Sequence, residues 1–160
     1  MWYDSASTPH IHTEILGGHR VASAYESADL LLKLYELRRE ATMREARSWF
    51  AGFHPQSADD ILAVNRGEHS AYFRMVTSFW DMAASFVNNG AIDEKMFNDA
   101  NGEQLFIFAR LEPFLAEYRQ KTGQAGYLTQ LEQLISRLPN SHERLASMRE
   151  RIKAMAAARR

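Results

Sequence analysis

An all-α bundle of about six or seven helices is the fold class that three features of the sequence predict. Apolar residues recur at steps of three and four along most of the chain, no stretch alternates with the period of a strand, and the breaks between periodic stretches are short. The densest of these stretches, YFRMVTSFWDMAASFV from Tyr72 to Val87, lies near mid-chain and dictates the arrangement of the rest. Tyr72, Val76, Phe79, Ala83 and Phe86 form an apolar stripe, while Arg74, Ser78, Asp81 and Ser85 make only a narrow polar edge. A helix over about 68–88 with so little polar surface must be covered by several neighbours.

The elements follow in order. Residues 1–22 show no helical period and read as an irregular N-terminal arm, with a short extended piece near His12–Leu16 and a break at Gly17-Gly18. The helical bundle domain is expected over 23–160. Ser23 and Glu26 make a capping box, in which each side chain serves the other's free backbone N–H. A long first helix follows, with Leu30, Leu34, Leu37 and Ala41 on one stripe, a charged middle from Arg38 to Arg47, and apolar Trp49, Phe50 and Phe53 at its end. Glu40 four residues before Arg44 is the pair expected to support that exposed middle.

Gly52 and Pro55 stop this helix, and Ser57 opens a short one through Val64. Asn65-Arg66-Gly67 breaks the chain before the central helix, and Asn88-Asn89-Gly90 ends that helix in a left-handed turn. Asp93 caps a one- to two-turn helix carrying Met96 and Phe97. The next helix contains Pro113, which predicts a kink near Arg110. A sixth runs from Tyr127 to Leu138 and stops at Pro139. Asn140 with Glu143 predicts a second capping box, opening a last helix through Leu145, Met148, Ile152 and Met155.

Composition narrows the function classes. The 160 residues are 46% apolar and 24% charged with a net charge of −1, which is globular and sets up no whole-molecule field for nucleic acid or an anionic membrane. The absence of cysteine excludes disulfides, thiolate metal sites and thiol nucleophiles. The first twenty residues lack a signal-peptide pattern, and Arg74 and Asp81 interrupt the longest apolar region, so no membrane span is expected. The expectation is a soluble, cytoplasmic protein.

Three groups of residues are candidates for chemistry. His10, His12 and His19, with Glu14 nearby, supply imidazoles at spacings that an extended segment could bring to one metal ion, although polar arm histidines without a role are commoner. Arg74, Ser78, Asp81 and Ser85 are either a polar ligand pocket or, the favoured reading, part of a buried ion pair that sets helix register. For Asp81 the expected donors are Arg38, Arg39 or Arg110. The last 21 residues hold six Lys or Arg against two Glu, a charge of +4, and Arg149, Arg151, Lys153, Arg159 and Arg160 among them form a basic patch for nucleic acid or lipid. Cations near a helix C-terminus also simply suit its dipole.

Other motifs fail on inspection. His142-Glu143 lacks the second histidine of a zincin helix, since position 146 is Ala146. Asp99–Glu103 has its glycine at the wrong place for a calcium loop, and Arg110 stands where a glutamate belongs. No phosphate loop or nucleophile elbow is present, so no catalytic residue and no cofactor are assigned.

The first helix with YELRREATMREARSWF (Tyr35 to Phe50), the central helix running into FVNNGAIDEKMF (Phe86 to Phe97), the helix with Pro113 and EYRQKTGQAGYLTQLEQL (Glu117 to Leu134) together resemble a family of uncharacterised bacterial helical domains over residues 27–138. That resemblance implies an all-helical fold and carries over no catalytic residue. Some members of the family are similar to membrane-anchored proteins with a hydrophobic N-terminal helix, a pattern from which this N-terminus departs.

The leading expectation is a non-enzymatic helical interaction or structural module that self-associates, with a homo-oligomer or another protein as its partner. It rests on the first helix and on the 18 aromatic residues, many for short helices to hide in one protomer. One alternative is a small-ligand or metal-dependent enzyme using the polar edge or the histidines. The other is a nucleic-acid-associated regulator acting through the basic tail.

Overall fold

The computed structural model describes residues 15–16, 19–20 and 22–158. Two two-residue strands, β1 (Ile15–Leu16) and β2 (His19–Arg20), pair antiparallel with Leu16 opposite His19. Eight helices follow among the described residues: α1 (Ala24–Arg39), α2 (Ala41–Gly52), α3 (Ala58–Arg66), α4 (Ser70–Asn88), α5 (Glu94–Ala100), α6 (Glu103–Thr122), α7 (Thr129–Ser136) and α8 (Ser141–Ala157). The chain is all-α, as its periodicity predicts.

The extra helix comes from the expected long first one, which divides at Glu40. No glycine or proline marks that point. Glu40 takes an extended ψ of 140° and its carboxylate accepts from the Met43 N–H at 3.0 Å, so it caps α2 instead of pairing with Arg44. Elsewhere the local signals hold. Ser23 and Glu26 form both bonds of their capping box, Ser57 caps α3, and Asp93 caps α5 through the Met96 N–H at 2.7 Å. At the end of α4, Gly90 sits at φ 73° while the Ala91 N–H reaches Phe86 O at 2.8 Å and the Gly90 N–H reaches Val87 O. These two bonds make a Schellman turn, which needs the left-handed residue that glycine supplies.

One expectation gives way. Asn140 is left-handed (φ 55°) and makes no side-chain cap, so the second capping box is absent. α6 contains Pro113 eleven residues into its span.

α4 occupies the centre, packed most extensively on α7 and α2 and also on α3 and α5, while α6 lies on α3, α7 and α8. Its Phe73, Val76, Phe79, Trp80, Ala83 and Val87 are buried. Phe73 meets Phe50 and Phe53, and Trp80 meets Phe97 edge-on at 6.4 Å. The stripe is shifted from the predicted one: Phe73 and Trp80 are more deeply buried than Tyr72 and Phe86, which lie at the core's margin. No helix among the described residues is long and apolar enough to cross a membrane.

Candidate functional site

The four polar residues along α4 have separate surroundings. Arg74 and Ser78 face solvent, the Arg74 guanidinium returns to Ser70 O, and the Ser85 hydroxyl donates to Met82 O. Asp81 alone reaches across to another element, and its partner is not a cation from Arg38, Arg39 or Arg110. Its Oδ1 accepts from the Leu131 backbone N–H at 2.9 Å. The reason lies at the start of α7: Leu128 precedes that helix in a left-handed conformation and has no side-chain oxygen, so the first-turn amides lack a local cap. Asp81 supplies one from α4. Burial pushes its carboxyl above the ordinary range, against the opposing pull of the Leu131 and Gln130 amides and of Arg119. Two turns further on, the Asn88 amide donates to Gln130 O, and Arg137 donates to Asn88 Oδ1. The edge is a seam holding α7 on α4.

Arg38 has a different carboxylate. Glu103, in the first turn of α6, accepts from Arg38 and from the fork of Arg47, whose Nε lies 2.8 Å and Nη2 2.6 Å away. The Arg38 guanidinium also sits over the Trp80 ring at 5.1 Å, and Arg47 donates to Arg38 O. The three side chains are only 17–29% exposed. This bidentate cluster closes the corner where α1 turns into α2 and leaves Glu103 fully engaged.

The basic patch disperses around α8. Arg149 pairs with Glu112 at 2.8 Å and Lys153 with Glu150, while Arg151 lines a separate groove with Arg144 and Met148. Steps of four keep residues 149 and 153 on one face, and 151 turns away. Arg159 and Arg160 lie outside the described residues, as do His10 and His12. His19 is placed only as a backbone partner of Leu16. No group of three potential metal ligands occurs among the described residues.

Two other features were not legible as sites. A cleft of about 670 Å³ opens between α8, the middle of α6 and the loop after α2, lined by Gly52, His54, Arg110, Pro113, Phe114 and Ile152 among others. Arg110 is 6% exposed, with Nη1 donating to Phe50 O and Phe53 O (the latter at 2.6 Å) and its guanidinium 4.4 Å from the Phe106 ring centre. The second feature is the outer face of α1, where Tyr25, Leu32, Tyr35 and Leu37 are 83%, 64%, 54% and 53% exposed. A smaller depression of about 420 Å³, lined by Leu37, Met75, Ser78, Phe79 and Met82 among others, lies between α1 and α4.

A family described as a domain of unknown function (DUF4760) matches residues 23–138, whereas no curated protein and no solved structure matches the chain.

Proposed function

The chain belongs to the DUF4760 family, and from that premise we propose that it is a non-enzymatic helical interaction module that self-associates through α1. The observation carrying this reading is a second seam on α1. Ser27, Leu34 and Arg38 lie on its inner face, where Ser27 accepts from the Asp93 N–H and Arg38 meets Glu103. On an adjoining flank Tyr25, Ala28, Leu32, Tyr35 and Arg39 succeed one another at steps of three, four, three and four. That is the spacing of a helix-pairing seam, and an apolar strip of this kind open to water is the usual mark of an interaction surface.

The partner is a second copy, because the strip is self-complementary when two α1 helices run antiparallel about Leu32. Tyr25 then meets the partner's Arg39 on either side of the Leu32 pair. Each contact occurs twice, as a two-fold axis requires. Antiparallel packing also sets the acidic first turn (Glu26) beside the basic last turn of the other helix, which suits both dipoles.

Sedimentation velocity over a concentration series tests the reading. The wild-type chain is expected to associate reversibly, and Leu32→Glu to remain monomeric with an unchanged far-ultraviolet circular dichroism spectrum. A wild type that stays monomeric at the highest concentration would overturn it.

A further inference from the structure

We propose that the cleft between the loop after α2, the middle of α6 and the outer half of α8 binds a small amphipathic carboxylate. It would hold the acid group at the Arg110–Arg149 end and the apolar body against Phe114, Pro113 and Ile152. The inference is independent of self-association, since α1 contributes nothing to this cleft.

Size comes first. At about 670 Å³ the cleft falls within the range of small-molecule sites, roughly 300–1,000 Å³. Small residues contribute to its lining. Ala109, Ala156 and Ala157 line the walls, and a methyl group on Gly52 would meet no heavy atom within 4 Å. Gly52 ends α2 as an ordinary helical residue, so no unusual backbone conformation requires a glycine there.

Charge selects the ligand's sign. Arg110, Arg149, Lys153 and His54 line the cleft, and no aspartate or glutamate does so among its described lining residues. Arg110 is deeply set and its Nη1 is held by two carbonyls, so its positive charge is fixed in the cleft wall. The pairs Arg149–Glu112 and Lys153–Glu150 are on the rim, with side chains 33–38% and 72–73% exposed. Pairs so exposed bind their partners weakly, which leaves both cations able to turn to an incoming acid.

The apolar lining completes the selection. The rest of the wall, Phe114, Pro113 and Ile152, is apolar and suits a short aliphatic or aromatic body. A carboxylate with such a body fits better than inorganic phosphate, which would leave the apolar wall uncovered.

Titration of the full chain with octanoate, octanamide and inorganic phosphate, followed by amide chemical shifts in ¹H–¹⁵N spectra, tests this. Octanoate is expected to shift Gly52, Ala109 and Ala156 saturably, and octanamide to bind at least ten-fold more weakly. Arg149→Gln should weaken octanoate several-fold. Gly52→Leu should abolish the shifts at Ala109 and Ala156 while leaving the thermal unfolding midpoint of the chain in place. Equal binding of octanoate and octanamide would overturn the charge assignment, and octanoate shifts that survive in Gly52→Leu would overturn the location. A response to phosphate alone, or to none of the three probes, would overturn the proposal as a whole.

Discussion

α1 and α4 are both rich in large apolar residues, yet they have opposite fates. α4 buries eight of its nineteen residues, because α2, α3, α5 and α7 surround it and Asp81 and Asn88 lock α7 along its polar edge. α1 buries only Ser27 and Leu34 of its sixteen and leaves Tyr25, Leu32 and Tyr35 in water. Both helices carry large apolar residues, but the fold covers α4 and leaves part of α1 bare. Apolar periodicity states that a face needs a partner. Whether the partner is in the same chain depends on where the neighbouring helices are carried.

The sharpest test of this contrast is truncation at matched positions. Trp80→Ala removes a 1% exposed side chain from the centre of α4 and should cost about 3–5 kcal/mol of unfolding free energy. Leu32→Ala on the outer face of α1 should fall within about 0.5 kcal/mol when measured below the association concentration. Chemical denaturation of both variants checks the pair, and similar losses would erase the distinction.

The corner between the two regions comes next. Glu103→Ala leaves Arg38 and Arg47 partly buried without their carboxylate. The cost should be about 2 kcal/mol, below the 3–5 of a fully buried pair because water reaches the cluster. The fluorescence of Trp80, beneath Arg38, should change with it.

The seam between α4 and α7 is expected to show the smallest effect. Asp81→Ala should cost about 1 kcal/mol, the usual value of a lost helix cap. Asp81→Asn keeps an oxygen for the Leu131 N–H and should cost less. The pH dependence carries a sign. Burial raises the Asp81 carboxyl in the folded state, so the folded chain holds that proton more tightly than the unfolded one. Its contribution is complete below the unfolded carboxylate range, near pH 3.9, and declines as pH rises through the higher folded value. Relative to Asp81→Asn, the wild type should therefore gain stability as pH falls from 7 towards 4. A relative loss over that interval would show that the amides and Arg119 outweigh burial.

The first candidates for chemistry fared according to how far their chemistry reached along the chain. Asp81 stood out correctly as the polar group on α4 needing a partner, but the sought partner was a cation. A backbone amide carries no side-chain signature, and the left-handed Leu128 that leaves α7 uncapped has none either. Arg149 and Lys153 stood out for their charge. That they face Gly52 and Pro113, and not a common surface with Arg151, follows from how α8 is seated on α6. Arg110 was noticed only as a possible donor, because nothing nearby in sequence reveals the carbonyls of Phe50 and Phe53.

Sequence alone determined the helical class, the apolar centre at α4, the boxes and caps at Ser23, Ser57 and Asp93, and the turn at Gly90. Each depends on residues within about six positions of one another, where periodicity and backbone geometry act directly. The tertiary structure decided the break at Glu40, the partners of Asp81 and Arg38, the bare outer face of α1 and the cleft beside α8. The Asp81 and Arg38 contacts join residues 50 and 65 positions apart, and such pairings exist only after the helices have closed around α4.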